Sequence, residues 1–125
     1  MTKQLMTSDA FSPDNLIAGL DPDIVTDKGI LLSGQNLVRG TLLGKITVSG
    51  KLQISAVGAA DGSETPYAIL AEDTDASAGD AADTLVYLAG AFNHNAMTFG
   101  TGHTAASTKD GLRALGIILQ DAVAN

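Results

Sequence analysis

Hydrophobic and polar positions along this chain fall into two regimes. Through about position 27 the apolar residues come in short groups, Phe11, Leu16-Ile17, Leu20 and Ile24-Val25, separated by Pro13, Pro22 and a series of aspartates. Neither a period of 2 nor one of 3.6 runs through them, and proline is excluded from a helix interior and from a central strand. The pattern predicts an extended N-terminal arm over residues 1–27 and a compact domain over residues 28–125.

From Gly29 the pattern becomes that of strands. Ile30-Leu31-Leu32 is a short strand and Ser33-Gly34-Gln35-Asn36 a turn. Thr41 to Val48 and Lys51 to Val57 read as two strands joined at Ser49-Gly50, where glycine accepts the positive φ of a tight hairpin. In the second of them Leu52, Ile54 and Ala56 share one face. Pro66 to Ala71 is a further strand, Thr84 to Phe92 a long buried one, and Ile117 to Val123 the last. Between the fourth and fifth strands, Glu72, Asp73, Asp75, Asp80 and Asp83 mark a solvated acidic loop. One helix is expected, capped by Ser107 with Asp110 three residues on, presenting Leu112 and Leu115 on one face and stopped by Gly116. The fold class predicted is mainly β, a small barrel or sandwich with one short helix near the C-terminus.

Composition adds little to the fold but narrows the function. A chain of 125 residues is one domain, or one domain plus an arm. Three Phe, two Tyr and no Trp make a core short of aromatics, which gains from a partner subunit. Seven basic residues stand against fourteen acidic ones, a net charge of −7. A nucleic-acid binder needs a cationic footprint and an anionic membrane surface asks for the same, so neither partner is expected. The absence of Cys removes disulfides, thiolate nucleophiles and Cys-ligated zinc. No apolar run approaches the roughly 20 residues of a membrane-spanning helix, and Met1 to Asp9 lacks the apolar stretch of a signal peptide.

Each candidate for chemistry is incomplete. Gly40-Thr41-Leu42-Leu43-Gly44-Lys45-Ile46 is one residue short of a phosphate loop and has Ile46 in place of the metal-binding hydroxyl. Asp73 to Gly79 resembles the start of a calcium loop, but the glycine comes one place late and position 12 is Thr84 rather than a bidentate Glu. His94 and His103 have no third metal ligand placed by spacing. No Gly-x-Ser-x-Gly elbow offers them a nucleophile. No catalytic residue, cofactor or metal is expected. A small hydrolase or metal-binding protein using His94 and His103 is the alternative from another class.

Several stretches resemble the head decoration proteins of tailed bacteriophages. They are Asn15-Leu16-Ile17-Ala18-Gly19; Gly34-Gln35-Asn36-Leu37-Val38-Arg39-Gly40-Thr41-Leu42-Leu43-Gly44-Lys45-Ile46-Thr47; Ala68 to Ala76; Gly90-Ala91-Phe92-Asn93; and Leu112 to Leu119. They run in order over most of the chain. The resemblance implies a β-clip-like fold and a capsid cement. Such a protein is made in the bacterial host cytoplasm and binds as a homotrimer to the outer surface of the expanded head. There it holds major capsid protein subunits against internal DNA pressure. The resemblance also implies an arm that contacts the capsid. The residues expected to make that contact are Phe11, Leu16, Ile17, Leu20, Ile24 and Val25. Another virion component, such as a tail or receptor-binding protein, is a further alternative.

Overall fold

The computed structural model describes residues 16–19 and 23–121. In chain order the elements are β1 (Ile17–Gly19), β2 (Val25–Leu31), β3 (Asn36–Leu37), β4 (Leu42–Lys45), β5 (Leu52–Ile54), β6 (Pro66–Leu70), β7 (Thr74–Asp75), β8 (Ala81–Asn93), a 3-10 turn (His94–Ala96), α1 (Ala105–Leu115) and β9 (Ile117–Gln120). The protein is mainly β with one short helix near the C-terminus, as its hydropathy pattern predicts.

Strand β8, thirteen residues long, organises the rest. Its first part pairs antiparallel with β2 on one edge and with β6 on the other. The path β8-β2-β5-β4-β6 returns to β8 and closes a small five-stranded barrel. Its last residues leave the barrel and pair with β1 and, in parallel, with β9. The changeover falls at Gly90, whose φ of +142° is strained for any residue with a Cβ. A side chain there would also press on the Phe92 ring at 3.0 Å.

Closure sorts the apolar residues by the two-residue period. Leu31, Leu43, Leu52, Ala68, Leu70 and Val86 form one cluster to which all five barrel strands contribute, so it fills the interior. The alternate positions, Leu42, Ile69 and Tyr87, face outward and join Leu16, Phe92, Leu112, Ile117 and Leu119 in a second core between barrel, helix and the β1–β9 extension. Tyr87 and Phe92 stack at 5.2 Å between ring centroids, two of the few aromatics in the chain.

The helix differs from its expected placement in start and in face. Thr104, extended at φ −136°, is the N-cap, and Ser107 is the N3 partner of a capping box. Ser107 N–H donates to Thr104 Oγ1 at 3.0 Å and Thr104 N–H to Ser107 Oγ at 2.9 Å. Starting three residues earlier, the helix buries Thr108 and Leu112, four apart. Leu115 is left 48% exposed at the rim. Gly116 ends the helix at φ +93°, as expected.

The β4–β5 connection is longer than a two-residue hairpin. Thr47 N–H donates to Asp61 O at 2.9 Å, which draws the strand end towards the 58–65 loop. Ile46 N–H still reaches Lys51 O, and Gly50 N–H turns back to Ile46 O, both at 2.8 Å, leaving a four-residue turn.

Candidate functional site

Of the residues expected to touch a capsid, the first that the structure describes is Leu16. Leu16 is 1% exposed, packed in the outer core, and its carbonyl accepts Asn93 N–H at 2.7 Å. Ile17 opposes Phe92 in the β1–β8 pair and is half-buried. Ile24 is half-buried against the same core. Val25, opposite Ala89, is 47% exposed. Phe11 and Leu20 lie outside the described residues. The structure therefore seats Leu16 and Ile17 in the body, keeps Ile24 at its margin and leaves Val25 facing outward. Sequence pattern had no means of separating them, because β1 is three residues long and shows no periodicity.

The acidic loop is more structured than its composition suggests. Within it β7 pairs with β3, and Ala76 is buried. Its carboxylates are engaged separately. Asp73 Oδ1 accepts Arg39 N–H at 2.8 Å, Asp75 Oδ1 accepts Ser77 N–H and Oγ–H, and Asp80 accepts Ser33 N–H and pairs with Lys51 Nζ at 2.7 Å. The Ser77 hydroxyl holds the Asp75 carboxyl below the usual carboxylate range, and the Lys51 ammonium does the same for Asp80. Side chains spent on three different partners cannot converge on one cation. Among the described residues no group of three or more His, Asp or Glu side chains comes together to hold a metal.

The two histidines do structural work. His94 Nε2 meets Asp121 Oδ1 at 2.7 Å, tying the turn after β8 to the end of β9. His103 Nε2 lies 2.9 Å from Glu64 O and 3.1 Å from Ser55 Oγ. A carbonyl can only accept, so Nε2 carries the proton. The buried Ser55 hydroxyl donates to Ser63 O at 2.7 Å and accepts from the imidazole. A general base would need the opposite arrangement, an imidazole nitrogen accepting from the hydroxyl. The pair instead stitches β5 to the 61–65 loop.

One residue that the motifs did not single out is Arg39. Its Nη1 donates to Ala71 O and to Tyr87 Oη, each at 2.7 Å, and its guanidinium sits 5.5 Å over the Tyr87 ring. It locks the 38–41 turn onto the barrel wall next to the acidic loop. An isolated arginine between Val38 and Gly40 gives no periodic signal that would predict this.

These observations describe a scaffold whose polar groups hold loops to strands. The family model described as bacteriophage lambda head decoration protein D matches residues 5–119, and the chain belongs to that family. The family is one of structural phage proteins, and membership makes this chain a virion component that decorates the capsid. A comparison with curated proteins found no match.

Proposed function

We propose that this chain is a capsid cement. It binds the outer surface of the expanded head as a homotrimer, contacts the major capsid protein through residues 1–27, and stabilises the shell against internal DNA pressure. The family match carries this reading. The body supports it in two ways. The side chains that could suggest chemistry, Asp73, Asp75, Asp80, His94 and His103, each bond to another group of the body. It also displays large apolar side chains, Val25, Ile30, Val38, Val48, Val57 and Leu115, between 40% and 96% exposed, which suits a protein with several contact faces.

Within residues 1–27, Leu16 and Ile17 anchor the segment to the body. Phe11, Leu20, Ile24 and Val25 are the residues we assign to the capsid. Addition to a sheet edge would use main-chain hydrogen bonds for affinity and alternate side chains for fit. Loss of about 1.4 kcal/mol per arm is about tenfold, and three linked arms could lose about 10³.

The test is co-sedimentation of full-length and Met1–Asn15-deleted protein with expanded and unexpanded undecorated heads, with sedimentation velocity of the free protein. Full-length protein should saturate expanded heads only, and the truncated protein should fold but bind at least about tenfold more weakly. Equal saturation by both proteins would take Phe11 out of the contact, and equal saturation by a Leu20→Asp/Val25→Asp variant as well would move the contact from residues 1–27 to the rest of the body.

A further inference from the structure

Three of the basic residues among the described part of this acidic chain gather at one end of the barrel. Lys28 on β2 and Lys45 on β4 line one cavity of about 310 Å³, and Lys51 lies in sequence between two of its other lining residues, Gly50 and Leu52. Lys51 is neutralised by Asp80. Lys28 and Lys45 make no ion pair among the described residues, and Lys45 Nζ is held 5.0 Å over the Tyr67 ring. The cavity floor is apolar, formed by Leu52 and Val86, with Ile30 at its edge, 40% exposed. Asp27 is the one acid that lines it, and its Oδ1 accepts the backbone N–H of Lys28 at 2.8 Å. The β4–β5 turn closes one side and displays Val48 at 96% exposure two residues before Gly50, which lines the cavity.

We infer that this cavity is a second docking site, for an acidic side chain flanked by an apolar residue on the capsid shell. The inference rests on the cement reading above. Two cations against one acid make a local positive spot on a chain of net charge −7, so a carboxylate approaching the decoration protein is attracted here against a net repulsion from the whole. The volume, at the low end for ligand pockets, admits one or two side chains rather than a cofactor. The Lys45–Tyr67 contact pre-orders one ammonium, which lowers the entropic cost of binding. Ile30 and the ring of Tyr67 supply the apolar rim that a bare ion pair lacks.

The experiment measures binding of wild type, Lys28→Glu/Lys45→Glu, Lys28→Arg/Lys45→Arg and Lys109→Glu to expanded, undecorated heads, with a thermal melt of each. The charge-reversed pair should bind about tenfold or more weakly at 0.1 M salt while melting normally, since the side chains it replaces are exposed. The arginine pair should stay within about threefold, and Lys109→Glu, on the helix, should do the same. Raising salt should weaken wild type more steeply than the reversed pair. The inference is overturned if the reversed pair saturates heads like wild type, or if Lys109→Glu loses as much. It is also overturned if sedimentation velocity shows the reversed pair changing the size of the free protein, which would make the cavity a contact between copies. Wild type that fails to bind heads would refute the cement reading itself, and the docking site would fall with it.

Discussion

Leu16→Ala is the perturbation that most directly separates a core role from a contact role for the chain start. Leu16 is 1% exposed and packs with Leu42, Phe92, Leu112 and Leu119. Truncation removes three carbons, about 2.4 kcal/mol at about 0.8 kcal/mol per buried CH₂. The vacated space adds a cavity cost that depends on how far the walls can collapse. Here they are stiff. Phe92 is fixed in β8 and Leu42 in β4, and a Cβ placed on Gly40 would already come within 3.4 Å of Leu16 Cδ1. The expected loss is thus in the upper part of the usual range for this change, about 3–5 kcal/mol. At roughly 3–6 °C per kcal/mol for a chain of this size, Tm should drop by at least about 9 °C. Val25→Ala, at a site 47% exposed, should cost under about 1 kcal/mol. Urea unfolding of the free protein reads both without any capsid. Equal, small losses for the two variants would refute the core placement of Leu16 and return it to the contact surface.

Two further outcomes follow from the same geometry. Leu112→Ala should cost about 2–5 kcal/mol and Leu115→Ala under about 1 kcal/mol, because the first is fully buried and the second 48% exposed; thermal melts ranking them the other way would contradict the Thr104 start of the helix. Asp80 has its pKa lowered chiefly by its hydrogen bond from Lys51, so its stabilising effect is present above the ordinary carboxylate value of 3.8 and is lost as pH falls through the folded value. Asp80→Asn should accordingly flatten the acid limb of a stability-versus-pH curve below about pH 4, and superimposable limbs would show that the Lys51–Asp80 pair does not survive in solution.

The strands legible in the sequence are those with a strong apolar signal. The long run through Leu85 and Phe92 is β8, Pro66 does open β6, and Gly116 does end the helix. What escaped had no such signal. β3 and β7 are two residues each, and their pairing depends on Ala76 sinking into the barrel side of the acidic loop. The helix start was displaced because Thr104 and Ser107 both suit a cap, and only the reciprocal bonds between them decide which is which. Ser55 reads as an outward position in an alternating strand, yet it is fully buried, its hydroxyl met by Ser63 O from the neighbouring loop and by His103 from far along the chain. Among the described candidate contact residues Leu16 is buried in the body and Val25 is exposed, a difference that hydrophobicity alone could not predict.

The way the chain start joins the body bears on the cement role proposed above. Leu16 O bonds to Asn93 N–H, Ile17 opposes Phe92, and Val25 opposes Ala89, so both sides of the 20–22 link are hydrogen-bonded to β8. β8 is also the strand that closes the barrel and carries β9. A capsid contact made ahead of Leu16 would therefore load the central strand of the fold rather than a peripheral loop. Both pairings are antiparallel, and a pull along them must shear several main-chain bonds together with the buried Leu16 side chain. An arm anchored only by its own exposed residues would peel one contact at a time. On the cement reading proposed above, seating Leu16 in the core would pass tension on the arm to the whole body, as resisting outward pressure on a shell requires.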